Sequence, residues 1–128
     1  MHTKRFSPRH LGHITGWVGI RQMPTQAIEN LPEVGFIVFE DEEAVCAMFL
    51  RRIEGGFALL DSAISNPHIA PAVRRKAQDM AAGACIRYAK EIGLKQVMAL
   101  TVDANVKHRC KDFGFEEAKD VFFVKKLV

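Results

Sequence analysis

The stretch Phe57–Ile92, FALLDSAISNPHIAPAVRRKAQDMAAGACIRYAKEI, decides how the rest of the chain is read. It opens as an apolar run of strand length, breaks at Asn66-Pro67, and continues as the longest amphipathic pattern in the sequence. Val73, Ala77, Met80, Ala81, Ala84, Cys85, Tyr88 and Ile92 recur at helical spacing, while Arg74, Arg75, Asp79, Arg87 and Glu91 fall off that stripe. The stripe is built of small residues with Gly83 beside them, so this helix can lie very close to a sheet. Gly93 is placed to end it as a left-handed cap. A strand leading through a Pro-containing loop into a helix whose first turn carries Arg74, Arg75 and Lys76 has the makings of an anion site. Free N–H groups, the positive end of the helix dipole and the basic side chains are expected to converge there.

Working back from this unit, VGFIVF (34–39), AVCAMFLRR (44–52) and GFALLDSAIS (56–65) are three apolar runs of strand length. They are separated by the acidic Glu40–Glu43 turn and by Glu54-Gly55-Gly56, so they form an antiparallel meander. The runs are nearly continuous rather than alternating, which predicts a sheet covered on both faces. Before them, Lys4–Phe6 reads as a short strand and Ser7-Pro8 as a helix start. Leu11, Ile14, Trp17 and Val18 give that helix its apolar side, and a second short turn of helix carries Ala27, Ile28 and Leu31 before stopping ahead of Pro32. Trp17 and Phe36 are expected either to pack together or to line an acceptor cleft.

Working forward, Gln96–Val102 reads as a strand and Asp103 as the N-cap of a short helix through Phe113. Gly114 stops that helix, and Val121–Leu127 reads as a last strand. The fold class is therefore α/β with a mixed sheet, an antiparallel meander joined to a parallel strand–helix–strand crossover.

The chain of 128 residues fits a single domain, 1–128, with 48% hydrophobic and 26% charged residues. A net charge of +3, from 18 Lys and Arg against 15 acids, is mild and makes nucleic-acid binding the least favoured class. Cys46, Cys85 and Cys110 lie apart in apolar patterns, reading as reduced thiols with no disulfide framework and no metal site. The N-terminus has no apolar signal core, and no window approaches a membrane span, so a cytoplasmic location is expected.

The order of elements resembles the GNAT superfamily of acyl-CoA N-acyltransferases. The match is carried by Ser62-Ala63-Ile64-Ser65 followed by Asn66-Pro67, by the helix end Ala89–Leu94, by the strand Val97–Val102, and by Asp103-Ala104-Asn105 with Gly114-Phe115. It covers about Val34 to Leu127. The Leu31–Val38 pattern LP-x-x-GF-x-V and the Ser-Asn-Pro before an Arg-bearing helix also look like a glycine-poor branch found in phages and prophages.

This resemblance implies acetyl-CoA as cofactor. Its extended arm would pair with main chain at Ala63, Ile64 and Ser65, and its phosphates would meet the helix start at Arg74, Arg75 and Lys76. Counted back from Gly93, the family's phosphate pattern Q/R-x-x-G-x-G/A falls on Val73 to Gln78, with Lys76 and Gln78 where glycine is expected. Three basic side chains take over anion binding in one reading. In the other the chain is a catalytically silent binding or structural module. Asp103 and Asn105 would flank the cofactor arm, or simply cap the short helix.

Asp61 is the one acid inside an apolar strand and is the candidate base; alternatively it faces solvent or bonds a neighbouring loop. Cys110 stands four residues before Gly114, where the family often has a tyrosine acid, and is either a proton donor or a buried structural thiol. His108, Arg109 and Lys107 read as a solvated basic face, and Tyr88 as core. The expected acceptor is a small-molecule or peptide amine, with homo-oligomerisation left open.

Overall fold

A computed structural model describes all residues, 1–128. In chain order the elements are β1 (His2–Arg5), a 3-10 turn (Pro8–His10), α1 (Leu11–Ile20), α2 (Gln26–Glu29), β2 (Val34–Glu40), β3 (Glu43–Ile53), β4 (Phe57–Ser65), α3 (Pro71–Glu91), β5 (Gln96–Ala99) and α4 (Ala104–Asp112). One five-stranded sheet runs in the order β1-β2-β3-β4-β5. β1 to β4 are antiparallel neighbours, and β5 joins β4 in parallel after the α3 crossover.

Both faces of the sheet are covered, as the continuous apolar strands require. On one face Ile14, Trp17 and Val18 of α1 pack on Ile37, Phe39, Ala47, Phe49 and Ile64. On the other, Ala77 and Ala81 of α3 meet Val38, Val45 and Cys46, while Cys85 and Ala89 meet Val34, Leu50 and Ala58. Alanine and cysteine at these α3 positions keep the helix close enough for the Cys85 thiol to lie 3.6 Å from the Met48 carbonyl oxygen. Trp17 and Phe36 consequently fall on opposite faces, because Phe36 alternates with Ile37 along β2. The two therefore do not pack together: Trp17 is part of the α1 face that enters the core, and Phe36 packs edge-on against Tyr88 at 6.1 Å.

α3 and α4 end the same way. Gly93 (φ +80) and Gly114 (φ +87) take the left-handed conformation. In α3, Gly93 N–H donates to the Lys90 carbonyl and Leu94 N–H to that of Ala89; in α4, Gly114 donates to Lys111 and Phe115 to Cys110. These paired bonds satisfy carbonyls that would otherwise be orphaned at the helix end.

Two strand expectations are corrected. β5 stops at Ala99 instead of Val102, because its only partner, β4, turns away beyond Leu60. Val121–Leu127 is not a strand: residues 115–128 hold no regular structure and pair with no sheet edge. Apolar alternation gave that segment strand character, but pairing also needs an available partner.

Gly35 lies directly opposite Phe49 in the β2–β3 ladder, and the Phe49 ring occupies the space a side chain would need. That ring then meets Phe6 edge-on, with centroids 4.9 Å apart, and closes the α1 face. Gly35→Ala should therefore cost roughly 1–3 kcal/mol through overpacking. Urea unfolding at unchanged m-value should read this loss, and Phe49→Leu in the same chain should relieve part of it.

His10 is buried beneath Phe39, with its Nδ1 accepting the Ser7 N–H at 3.0 Å. Burial, and then repulsion from Arg9, His13 and Lys4, hold its pKa below the ordinary 6.5. The unfolded chain thus takes up this proton more readily than the folded one. The His10 contribution should be whole above pH 6.5 and should diminish as pH falls below it. Thermal unfolding from pH 7 to pH 5 should show a decline that His10→Gln flattens.

Candidate active site

The site begins with a defect in a ladder. In the β3–β4 pairing Phe49 stands opposite Asp61 and Ala47 opposite Ile64, so Ser62 and Ala63 together face the single residue Met48. This is a β-bulge, and Ser62 occupies it with φ 54, a conformation that costs any residue with a Cβ. The Asp61 side chain supports it locally by accepting the Ser62 N–H at 2.7 Å. Beyond the bulge β4 runs on to Ser65, whereas pairing with β5 ends at Leu60 opposite Ala99. The two parallel strands therefore separate, and a length of β4 main chain is left without a neighbour on the β5 side.

Into this opening falls a cavity of about 300 Å³. β4 contributes Leu60 to Ala63, α3 contributes Gln78, Asp79 and Ala82, and the far wall is Arg109 and Cys110 of α4 with Phe113 at its C-cap. The structure thus brings both proposed catalytic residues, Asp61 and Cys110, to one cavity, together with Ala63 from the proposed cofactor stretch. Ile64 is buried into the α1 face, and the Ser65 carbonyl and hydroxyl are both taken by the Arg21 guanidinium at 3.0 Å.

The basic triplet is placed differently from expectation. α3 begins at Pro71, so Arg74 is already its fourth residue, and Val73 to Gln78 form helix interior rather than a phosphate turn. Arg74, Arg75 and Lys76 are consecutive on a helix and fan about 200° around it, so they do not all point at one place. None of the three forms an ion pair. The residues that stand before the helix are Asn66 to Ala70. Asn66 ties this loop down, donating from its amide to the Ala44 carbonyl and accepting His68 N–H, both at 3.0 Å. The Ala72 and Val73 N–H groups open the helix with no carbonyl a turn behind them to accept.

Asp103 caps α4, accepting from Asn105 and Val106 N–H at 2.8 and 3.1 Å. Asp103 and Asn105 both lie outside the residues that line the cavity.

Three arginines organise the site, Arg21 and Arg51 with no signal in the sequence and Arg109 against its expected solvated placement. Arg109 is not on a solvated face; it turns inward and grips α3 through Asp79, Gln78 and the Arg75 carbonyl. Arg51 pairs with Asp61 at 2.5 Å and also donates to the Asn30 carbonyl. Arg21 holds the end of β4. Their partners lie 10 to 44 residues away in the chain, beyond the reach of any local pattern. Among the thiols, burial pushes Cys46 and Cys85 up to about 12, which leaves half-buried Cys110 as the one facing the cavity.

No protein-family model matches the sequence, and no curated protein matches it. Solved structures do match in shape. Aminoglycoside N-acetyltransferase AAC(6′)-Iy in complex with CoA superposes with a TM-score of 0.73 at 18% identity, covering 99% of this chain and 95% of that one. The TTHA1254 protein of Thermus thermophilus gives a TM-score of 0.73 at 17% identity, covering 100% and 98%. The 6′-N-acetyltransferase AAC(6′)-IG of Acinetobacter haemolyticus gives 0.64 at 17% identity, covering 100% and 99%. At these identities the likeness is one of fold: the chain adopts the fold of the GNAT acyltransferases.

Proposed function

We propose that this protein is an acetyl-CoA-dependent N-acyltransferase acting on an amine. The observation that carries the proposal is the separation of β4 from β5 beyond Leu60, with a cavity at the opening that Asp61 and Cys110 both line. The chain matches the fold of an aminoglycoside acetyltransferase solved with CoA and with a CoA-linked bisubstrate analog, which supports the same cofactor here. Acetyl-CoA would supply an activated acyl group. The residues present suit it: unpaired β4 main chain around Ala63 for an extended amide-bearing arm, and the free Ala72 and Val73 N–H groups with Arg74 for phosphate.

Within that arrangement Asp61 is the proton acceptor for the incoming ammonium, since its carboxylate borders the cavity and Arg51 fixes its orientation. Cys110 returns a proton to the departing thiolate. Arg109 holds α4 against α3, so that Cys110 stays opposite Asp61 across the opening. Arg75 and Lys76 attract the anionic cofactor at longer range. The acceptor is a small-molecule or peptide amine, and a cytoplasmic location and kinship with the phage-like branch accompany this reading.

A second reading has its own observation. The loop Asn66–Ala70 contains no glycine, and both Asp61 oxygens are already engaged by Arg51 and by Ser62 N–H. Under it the chain keeps the fold as a binding module without turnover.

Isothermal titration with CoA separates binding from none: one-to-one heats in the micromolar range are expected, and silence at millimolar CoA would end the cofactor assignment. Turnover is the further step. With an acetylated amine identified from a panel, Asp61→Asn should lower kcat/KM by about 10²–10⁴-fold, the range of a lost general base, while CoA affinity stays within a few-fold. Retention of wild-type kcat/KM in Asp61→Asn would leave Asp61 a purely structural partner of Arg51.

A further inference from the structure

The end of α1 holds one side chain in a fixed place. Gln22 N–H donates to the Gly19 carbonyl and Met23 N–H to that of Val18, the same paired closure that ends α3 and α4. Here the left-handed position is filled by Gln22, with φ 55, where glycine is the usual residue. A non-glycine residue in that region is strained, and the strain persists only where the surroundings over-determine it. The residue this closure sets in place is Arg21, the C-cap. It lies one turn beyond Trp17, on the face of α1 that meets the sheet.

β4 presents a free edge to that side chain. Ile64 pairs with Ala47 and Ser65 with Cys46, and Asn66 N–H donates to the Val45 carbonyl at 2.8 Å. In an antiparallel ladder alternate residues reach the partner strand, so Ser65 turns its own N–H and C=O away from β3. A neighbour on that side is missing, because pairing with β5 ends at Leu60. Arg21 fills the gap: its Nε donates to the Ser65 carbonyl and its Nη2 to the Ser65 hydroxyl, both at 3.0 Å. Ile64 belongs to the α1 face, whereas Cys46, the partner of Ser65, belongs to the α3 face. The guanidinium therefore passes round the open edge of β4, taking the carbonyl in the plane of the sheet and the hydroxyl beyond it. No acid pairs with it.

An extended ligand added to β4 would run about 4.8 Å from the strand and bond the groups that face outward. At Ser65 that space is already taken, since the Arg21 Nε stands 3.0 Å from the carbonyl oxygen that an added strand would use. The two cannot be bound there together.

We propose that Arg21 is a latch on the cofactor edge: in the free chain it closes β4 at Ser65, and an acyl-CoA arm pairs along the strand as far as Ser65 only when the guanidinium lets go. The latch rests on the acetyl-CoA reading above and adds to it a residue of α1 that sets how readily the edge is offered. Opening exchanges bonds within the chain for bonds to the arm, and the apparent affinity falls by the fraction of chains held closed.

Isothermal titration with CoA, on the full chain and two variants, tests the latch. Arg21→Lys keeps the charge but loses the planar fork that reaches both Ser65 atoms, and Ser65→Ala removes the hydroxyl bond while leaving Arg21 whole. Each variant should bind CoA roughly 3- to 10-fold more tightly than the wild type, the effect of one net hydrogen bond lost from the closed state. Each should also unfold at a slightly lower temperature without ligand, so stability and affinity move in opposite directions. A contact that merely supported the site would lower both. Equal or weaker CoA binding in either variant would overturn the latch and leave the cofactor assignment standing. Heats absent from the wild type but present in the variants would support the latch, whereas heats absent from all three would end the cofactor assignment and the latch with it.

Discussion

Everything distinctive about this molecule depends on one extra residue in a strand. Ser62 and Ala63 occupy the space opposite Met48 alone, so the side-chain parity of β4 changes there. Asp61 and Ile64, odd and even in number, come to lie on the same face, beside Phe49 and Ala47. Asp61 meets Arg51 on that face, and Ile64 enters the core under α1. The bend also takes β4 out of reach of β5 beyond Ala99 and opens the cavity between them. A left-handed Ser62 is an unfavourable conformation that the Asp61 carboxylate offsets in part, so the base candidate also supports the backbone feature that exposes it.

Much of the frame was legible because it rests on local rules. Gly93 and Gly114 mark helix ends that only a residue free of a Cβ reaches without strain, and the alanine stripe of α3 marks the face that meets the sheet. The continuity of Val34–Phe39 and Ala44–Leu50 announced cover on both sides. What was not legible is what depends on distance in the chain. The bulge leaves no mark in FALLDSAIS, since Ser62 and Ala63 are unremarkable there. Arg109 reads as a solvated charge until α4 is laid against α3, and counting back from Gly93 places a phosphate turn inside a helix that in fact begins at Pro71. Val121–Leu127 has the composition of a strand, and composition alone does not supply a partner.

The ion pairs at the site act through geometry more than energy. Arg51 with Asp61 and Arg109 with Asp79 are each partly open to water, where such pairs contribute about 0–1 kcal/mol. What they provide is direction: a planar guanidinium with several donors fixes its partner in two dimensions, as Arg109 does with Asp79, Gln78 and a carbonyl at once. The cavity is walled by α4, a short helix whose hold on the rest is largely this one side chain and the apolar contacts around it. The result is a site with a rigid side, the β2–β3–β4 meander, and a lightly attached one.

That asymmetry bears on the order in which the molecule assembles. The meander closes through two tight hairpins, so each strand finds its partner a few residues away, and little chain entropy is spent. β5 reaches β4 only after all of α3 has been laid down between Phe57 and Gln96, and it is held by four residues when it arrives. At four pairs this ladder is as short as the β1–β2 pairing at the other side of the sheet, and it borders the cavity.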